Sequence, residues 1–269
     1  MPIGMPFSFV QFNTVEDAIN ALELIHYKPC ADLEDRVLYA GFYPDQIVIN
    51  EIIDFNYHVP GLVYHDEFIT LEEENEMLSA IESYEGWGIV KGRHVKHFGY
   101  EFSYKIKHVG LKMDPFPNFV VPALHRFYKA YPQYHTMDQL TISSYPVGSG
   151  IPPHCDSHTA FHNTILIISL KNQIVMEFRK PSTGEVGHRL LKPRSLVIIG
   201  GESRYGWEHS IKLRKSDPLP DGQLMERKER LSLTFRKIQN EPGCGCLFKD
   251  LCDIDYYKKI RESQITFNK

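Results

Sequence analysis

The chain carries two histidines and an aspartate in the pattern of a metal-binding site. His154 and Asp156 are separated by one residue, and a lone His209 follows further along the chain. Two imidazoles and one carboxylate form the ligand set of non-haem Fe(II) oxygenases, in which the other face of the metal stays open for a cosubstrate and O₂. A His-x-Asp pair arises easily by chance, so the assignment of an iron site needs support from other residues.

Two arginines downstream supply that support. The segment Arg230-Leu-Ser-Leu-Thr-Phe-Arg236 has strand character, and the even separation of its two arginines places both side chains on the same face. A guanidinium held on a strand can bind a carboxylate through two parallel hydrogen bonds. The combination predicts an oxygenase whose cosubstrate is a carboxylic acid such as 2-oxoglutarate.

A cluster of cysteines near the C-terminal end indicates a second metal site. Its members are Cys244, Cys246 and Cys252. Thiolates suit Zn(II), and a structural zinc site needs a fourth ligand. His158 is the candidate, because alternation along a strand puts it on the same face as His154 and Asp156. The alternative is that the three thiols are free in a polar tail.

Strand signals dominate the chain from residue 139 onward, where short apolar runs are separated by Pro and Gly turns. The predicted strands are 139–145, 164–170, 173–180, 186–192, 195–200, 204–212 and 229–238. Residues 215–228 are polar, contain two prolines and are expected to form a mobile loop. Many short strands predict a mainly β fold, a double-stranded β-helix or jelly roll with flanking helices.

The flanking helices are predicted before these strands. Thr70 opens a capping box that predicts a helix to about Tyr84. Residues 94–106 have strand character. A second helix is predicted from about Asn118 to Tyr131, and Pro122 fits it only if this residue lies in the first turn or kinks the helix.

The N-terminal residues have a different organisation. Phe7-Ser-Phe-Val-Gln-Phe12 alternates aromatic and polar residues, Thr14 can cap a helix, and Val37–Phe42 is strand-like. Strand, helix and strand with exposed aromatics resemble the second half of an RNA-recognition motif, whose aromatic row stacks bases. The alternative is that the aromatics face a core. We interpret residues 1–43 as a partial α/β RNA-recognition-motif-like segment, followed by a linker at 44–60.

Composition limits the partners and the compartment. The chain has 269 residues, and its net charge of −4 gives no global basic surface, so any nucleic-acid contact must come from a local patch. No apolar run approaches the roughly 18 residues that span a bilayer, so no membrane partner is expected. The N-terminal residues lack a signal-peptide pattern. Five unevenly spaced cysteines argue for a reducing compartment, the cytoplasm, with the nucleus as the alternative.

From about residue 61 to 253 the chain resembles the AlkB family of Fe(II)/2-oxoglutarate dioxygenases. Within that family it is most similar to the branch that hydroxylates the wobble uridine of tRNA. The motifs that carry the resemblance are His97-Phe-Gly-Tyr-Glu-Phe102, Gly150-Ile-Pro-Pro-His-Cys-Asp-Ser-His-Thr-Ala-Phe161, Gly201-Glu-Ser-Arg-Tyr205, Trp207-Glu-His209 and Leu233-Thr-Phe-Arg-Lys237. The resemblance implies an oxygenase domain over 61–253, followed by a tail at 254–269.

The resemblance also implies the metal ligands. Iron would be held by His154, Asp156 and His209, and the single remaining positive charge would suit the dianion of 2-oxoglutarate. In the wobble-uridine branch, a histidine two positions after the iron aspartate joins three C-terminal cysteines. The zinc ligands implied are His158, Cys244, Cys246 and Cys252.

The cosubstrate would be bound by both arginines and by the strand before the iron motif. Arg230 would bind the distal carboxylate of 2-oxoglutarate, and Arg236 would lie nearer the metal, where it orients the proximal carboxylate or the substrate. The family usually has Asn-x-Tyr on the preceding strand, whereas this chain has Ser143-Ser-Tyr145. Tyr145 keeps its hydroxyl, but Ser143 lacks the paired donor and acceptor of an amide. We therefore expect weaker cosubstrate binding or a water in the gap.

Five residues are candidates for substrate contact: His94, His97, Tyr100, Phe102 and Arg204. In enzymes of this family the segment before the core covers a flipped base. Aromatic side chains suit base stacking, and basic ones suit phosphate. The alternative is that they are packing residues of a β-hairpin.

The function that the resemblance implies is hydroxylation of a modified wobble uridine, of the 5-methoxycarbonylmethyluridine type, in tRNA. Family members in this branch often carry a methyltransferase domain after the cysteines, and this chain ends at Lys269. We therefore expect tRNA and a separate tRNA methyltransferase or its activator as partners, and no DNA. The alternatives are an oxidative demethylase of alkylated nucleic acid and a catalytically weak, zinc-stabilised RNA-binding adaptor. The discriminating feature is Ser143.

Overall fold

The structure is a computed structural model that describes residues 10, 12–26, 28–30, 36–38, 40, 53–103, 108–239 and 243–256. The chain divides into two compact units, Met1–Ile52 and Ile53–Lys269. Several predicted features lie partly outside the described residues: Phe7 and Phe9 of the aromatic row, residues 39, 41 and 42 of the strand-like Val37–Phe42, residues 44–52 of the linker, residues 104–106 of the predicted strand over 94–106, and residues 257–269 of the tail.

The first unit contains a helix and a strand pair. Helix α1 (Val15–Ile25) begins where Thr14 accepts a hydrogen bond from the backbone N–H of Asp17 at 3.1 Å, so the predicted cap is confirmed. Strand β1 (Lys28–Cys30) pairs in antiparallel fashion with β2 (Arg36–Leu38). No side chain of α1 is buried. The resemblance to an RNA-recognition motif stays a prediction.

In its described residues the second unit is built from strands, together with the α-helices α2 (Leu71–Glu82), α3 (Val121–Ala130) and α4 (Gly201–Tyr205). The first strands are β3 (Leu62–His65), β4 (Gly88–Val90), β5 (Arg93–Phe98), β6 (Tyr100–Ser103) and β7 (His108–Lys112). The middle strands are β8 (Gln139–Tyr145), β9 (Ile151–His154), β10 (Phe161–Leu170), β11 (Ile174–Arg179) and β12 (Val186–Leu191). The last are β13 (Leu196–Gly200), β14 (Glu208–Ile211), β15 (Ser216–Pro218), β16 (Leu224–Glu226) and β17 (Arg230–Ile238).

Two sheets face each other. The major sheet has the order β3-β13-β10-β17-β8-β5-β4, and the minor sheet has the order β12-β11-β14-β9. One apolar cluster fills the space between the sheets, with Ile165 and Ile199 from the major sheet and Met176 and Phe178 from the minor one. This arrangement is the predicted double-sheet jelly roll, and the mainly β fold class is confirmed.

The helices cover the opposite face of the major sheet. Strand side chains alternate between the faces, so Leu140 and Leu233 pack against Met77 of α2 and Phe127 of α3 in a second apolar cluster. Helix α2 begins at the predicted capping box of Thr70 and Glu73. Among the described residues no helix is long and apolar enough to cross a membrane.

Two predicted strands are interrupted. The strand predicted over 94–106 is divided at Gly99 into β5 and β6. Gly99 has a φ of 76°, and a Cβ at this position would lie 1.9 Å from the carbonyl oxygen of Asp138, so the break requires glycine. The prediction of a strand over 204–212 is wrong in its first half, since helix α4 precedes β14. Gly201, with φ 54°, turns the chain out of β13 into that helix.

The prediction of a mobile loop at 215–228 is also wrong. Strands β15 and β16 form a hairpin. Asp217 is fully buried and accepts hydrogen bonds from Arg227 at 2.6 and 2.8 Å, from Arg214 at 2.8 Å and from the backbone N–H of Val175 at 3.1 Å. Because a buried carboxylate requires such partners, the polar residues that suggested a loop are the anchor of the hairpin.

Candidate active site and second metal site

His154 and His209 face each other across two paired strands. They are direct partners in the pairing of β9 with β14, and their ring centroids are 4.3 Å apart. The Nδ1 atom of His154 lies 2.9 Å from the carbonyl oxygen of Pro152. Since a carbonyl only accepts, Nδ1–H donates to it, and Nε2 is left with the lone pair that a metal needs.

Asp156 supplies the negative charge beside these rings. Its Oδ1 accepts a hydrogen bond from Nη2 of Arg236 at 3.1 Å. Burial alone would raise the pKa of Asp156, but Arg236 and the two histidines lower it well below its usual range. Burial, together with the neighbouring His154, lowers the pKa of His209 to about 3. Two neutral imidazoles and one carboxylate are the protonation states that a divalent metal requires, so the residues fit iron.

The inner face of β8 and β17 offers an anion site close by. Tyr145 of β8 is the direct partner of Arg230 on β17, and Ser143 shares the face of Tyr145 because alternate residues point the same way. Arg230 is 1% exposed and donates to the hydroxyl of Ser169 at 2.8 Å. Among the described residues its Nε has no hydrogen-bond partner. A buried cation without an anion is costly, so this pocket fits a carboxylate of 2-oxoglutarate.

A polar network holds Arg236 against Asp156. Nη1 of Arg236 donates to Gln139 at 3.1 Å and to Thr141 at 3.3 Å, while Nη2 donates to Asp156. Nδ1 of His97 lies 3.1 Å from the hydroxyl of Thr141. Burial, reinforced by the charge of Arg236, lowers the pKa of His97 to about 4, so this histidine is neutral. The structure thus places Arg236 against the carboxylate of Asp156. Its role toward the cosubstrate stays a prediction.

Arg204 lies beneath the site instead of at its mouth. Its side chain is 2% exposed, and its guanidinium donates to the carbonyl oxygens of Asp156 at 2.7 Å and of Ser157 at 2.6 Å. Longer bonds reach the carbonyl oxygens of Phe161 at 3.3 Å and of His162 at 3.4 Å. The prediction that Arg204 contacts substrate is therefore wrong, because its donors are turned toward the backbone of the loop that follows Asp156.

The four residues predicted to bind zinc come together in the structure. They are His158, Cys244, Cys246 and Cys252, and their ligand atoms all lie within 4.8 Å of one another. Four such atoms can surround one tetrahedral ion. Burial and the neighbouring Cys244 raise the pKa of Cys252 to about 12. A bound divalent cation would stabilise the thiolates instead, so the cluster fits a soft metal ion.

Asp253 fastens the cysteine segment to the same loop. Its carboxylate accepts a hydrogen bond from the hydroxyl of Ser157 at 2.5 Å and from the backbone N–H of Thr159 at 3.0 Å. The sequence analysis did not identify Asp253, because one acidic residue in a polar tail has no distinguishing pattern. The loop between the two sets of metal ligands is held by Arg204 on one side and by Asp253 on the other.

The predicted substrate residues divide into two groups. Phe102 of β6 packs on Phe161 with ring centroids 5.0 Å apart, and Arg236 lies 5.1 Å from the same Phe161 ring. Tyr100 packs in the same cluster, so the β6–β7 hairpin lies beside the site. A substrate role for Tyr100 and Phe102 stays a prediction. His94 is exposed on the side of β5 that faces away from these residues, and its predicted substrate role also stays a prediction.

Arg93 is the basic residue of the inner face that the sequence analysis missed. It is 5% exposed, lies in β5, and donates from Nη1 to the hydroxyl of Tyr145 at 3.1 Å. An arginine at the start of a strand is usually a surface residue. The available signal was its even spacing from His97, which places both side chains on one face.

Comparisons with known proteins agree with this geometry. Residues 70–236 match the 2OG-Fe(II) oxygenase superfamily. The chain is 34% identical to an "Alkylated DNA repair protein ALKBH8 homolog" of Arabidopsis thaliana, over 91% of this chain and 80% of that protein. It is 37% identical to a "tRNA (carboxymethyluridine(34)-5-O)-methyltransferase alkbh8" of Xenopus tropicalis, over 96% of this chain and 44% of that protein.

A similarly named protein of Mus musculus is 35% identical over 94% of this chain. The chain spans only 41% of the length of that relative, and less than half of the Xenopus one. The match to the oxygenase superfamily covers more than half of this chain and includes all three predicted iron ligands, the inner-face tyrosine and both arginines of β17. The chain belongs to the 2OG-Fe(II) oxygenase superfamily.

Proposed function

We propose that this chain hydroxylates a modified wobble uridine in tRNA, of the 5-methoxycarbonylmethyluridine type, with Fe(II) and 2-oxoglutarate. The observation that carries the oxygenase chemistry is the packing of the His154 and His209 rings with centroids 4.3 Å apart, close enough to Asp156 that both histidines lower its pKa. Family membership implies the metal and the cosubstrate. When bound, they couple the oxidation of 2-oxoglutarate to succinate and CO₂ with the insertion of one oxygen atom of O₂ into a substrate C–H bond.

The residues around the site position these groups. His154 and His209 present neutral imidazoles, because burial keeps both pKa values low. Arg236 keeps the carboxylate of Asp156 ionised and oriented. Phe102 and Phe161 form an apolar wall beside Arg236, which would help exclude water from the reacting centre.

The tRNA substrate is supported by the relatives. The Xenopus and mouse proteins are named for methyl transfer to a carboxymethyluridine at position 34 of tRNA. Since residues 70–236 match an oxygenase superfamily, we assign oxidation and not methyl transfer to this chain. A tRNA methyltransferase is the proposed partner, because methyl transfer would produce the ester on the uridine that this chain oxidises.

We also propose that His158 and the three cysteines bind zinc with a structural role. The site would pin the C-terminal segment next to the loop that carries Asp156. It adds no chemistry to the oxidation, because four protein ligands leave no open position on the metal.

Mass spectrometry of tRNA nucleosides tests the proposal. Purified protein with Fe(II), 2-oxoglutarate and a tRNA bearing the methoxycarbonylmethyl group should add one oxygen atom to that nucleoside and release succinate. The Asp156→Ala variant should do neither. Asp221→Ala is the matched control, because Asp221 is exposed in the turn of the β15–β16 hairpin. Wild-type activity in Asp156→Ala would contradict the iron assignment.

A second candidate function is oxidative demethylation of alkylated nucleic acid. The Arabidopsis relative is named as an alkylated DNA repair protein, which favours this function. The same assay with methylated DNA and methylated RNA decides between the two, because demethylation removes a methyl group and leaves no added oxygen on the nucleoside. Absence of succinate with every substrate would favour the adaptor interpretation instead.

A further inference from the structure

Three side chains form a row across the major sheet. In the pairing of β5 with β8, His94 is opposite Ser144, so Arg93 comes next to Tyr145. In the pairing of β8 with β17, Tyr145 is opposite Arg230. The guanidinium carbon of Arg93 lies 5.4 Å from the centre of the Tyr145 ring, and that of Arg230 lies 5.3 Å from it. Two cations therefore flank one phenol on the inner face.

Both cations are buried without an anion. Arg93 is 5% exposed and Arg230 is 1% exposed. Within the described part of the chain, neither Nε atom has a hydrogen-bond partner, and no carboxylate forms an ion pair with either residue. A buried guanidinium group without an anion has lost its hydration without electrostatic compensation, which is costly in a protein interior. One anion bound by both arginines would offset that cost.

The hydroxyl of Tyr145 completes a set of donors. It accepts a hydrogen bond from Nη1 of Arg93 at 3.1 Å, while the guanidinium of Arg230 lies over its ring. A phenol hydroxyl can both accept a hydrogen bond and donate one. Since Arg93 donates to this oxygen, its O–H is left to donate to a further acceptor. The three groups together offer only donors, which is what a carboxylate with its several lone pairs requires.

We propose that Arg93 is a third cosubstrate-binding arginine, acting with Arg230 and Tyr145 on the distal carboxylate of 2-oxoglutarate. The inference rests on the cosubstrate assigned to this site under the proposed function. It also explains how the pocket works with Ser143, since a second guanidinium supplies donors where the amide of an asparagine is absent. Arg236 remains the arginine held against the carboxylate of Asp156.

The inference makes a selective prediction about ligands. 2-Oxopentanoate has the same chain length and the same 2-oxo acid group as 2-oxoglutarate, but it lacks the distal carboxylate. If Arg93 contacts that carboxylate, its removal should weaken only the binding of 2-oxoglutarate. If Arg93 acts at the metal end of the pocket or on the fold, both ligands should weaken together.

The experiment is a calorimetric titration of both ligands into the full chain loaded with Mn(II) in place of Fe(II), without RNA. We expect Arg93→Met to weaken 2-oxoglutarate binding by roughly 10- to 100-fold, the effect of losing a charge-assisted hydrogen bond, and to leave 2-oxopentanoate within about twofold. Arg93→Lys keeps the positive charge but lacks the planar guanidinium group with its paired N–H donors. It should give an intermediate loss of affinity, and for 2-oxoglutarate alone. It replaces the methionine variant if that variant fails to fold.

Arg189→Met is the matched control. Arg189 also lies over a tyrosine ring, 5.8 Å from Tyr64, and its buried Nε also lacks a partner, but it belongs to the minor sheet. It should leave both affinities unchanged. Equal weakening of both ligands in Arg93→Met, or no change in either, would overturn the inference. Failure of the wild-type protein to bind 2-oxoglutarate at all would instead overturn the cosubstrate assignment itself.

Discussion

Replacing Arg204 with methionine tests whether this residue supports the active-site loop or contacts substrate. The two short hydrogen bonds from its guanidinium reach the carbonyl oxygens of Asp156 at 2.7 Å and of Ser157 at 2.6 Å. Methionine keeps most of the volume of the side-chain stem, so the cavity that it leaves is small. The change therefore isolates the loss of the hydrogen bonds.

The magnitude follows from two opposing contributions. Two hydrogen bonds to a charged donor contribute about 3–6 kcal/mol together, at about 1.5–3 kcal/mol each. Burial of the guanidinium, whose side chain is 2% exposed, costs a part of this gain. We expect Arg204→Met to lower the free energy of unfolding by about 3 kcal/mol and the melting temperature by roughly 6–12 °C.

Urea unfolding of the second unit, followed by tryptophan fluorescence, measures the effect. Arg179→Met is the control, because the Arg179 side chain is 46% exposed and its ion pair with Glu177 should contribute less than about 1 kcal/mol. Arg204→Met should also weaken Fe(II) binding, since the backbone of Asp156 loses its support. A variant with wild-type stability and iron affinity but weaker RNA binding would refute the reasoning and restore Arg204 as a substrate contact.

Three further predictions concern the metal cluster, the cosubstrate pocket and acid stability. Cys246→Ser should abolish about one equivalent of bound zinc and lower thermal stability, whereas the control Cys30→Ser should do neither. Metal analysis that finds no zinc in the iron-free wild-type protein would contradict the zinc site. Ser143→Asn should tighten 2-oxoglutarate binding in a titration, because the amide adds a hydrogen-bond donor and an acceptor on the same strand face as Tyr145. An unchanged affinity would show that Arg93 already supplies the donors that the asparagine would add. His188, whose Nε2 lies 3.8 Å from the carboxylate of Glu177, and Lys212, whose Nζ lies 2.9 Å from it, lower the pKa of Glu177 from 4.5 to about 2. This carboxylate therefore stabilises the fold above about pH 4.5 and loses that effect as the pH falls toward about 2. Glu177→Gln should therefore be less stable than wild type near neutral pH and converge with it in acid, and a constant difference in urea unfolding across this range would contradict the assignment.

Local chemistry determined much of the fold. The capping box at Thr70 and the period-2 pattern of 139–145 act within one segment, so they could be predicted without knowledge of the rest of the molecule. The same reasoning from side-chain chemistry gave the candidate metal ligands, because imidazole, carboxylate and thiolate side chains limit the metals that they can bind. Even spacing also placed Arg230 and Arg236 on one face.

The tertiary structure decided what covers each face of the two sheets and which side chains come into contact there. Arg204 and Arg93 are both arginines close to a predicted motif, yet the first is turned to backbone carbonyls beneath the site and the second to Tyr145 inside the pocket. Asp217 anchors a hairpin in a stretch whose polarity suggested a loop. Alternation along a strand gives the side on which a residue lies, but the neighbour on that side comes from strands far away in the sequence. The burial of a charged side chain and the identity of its hydrogen-bond partners therefore depend on the assembled sheets and not on the local sequence.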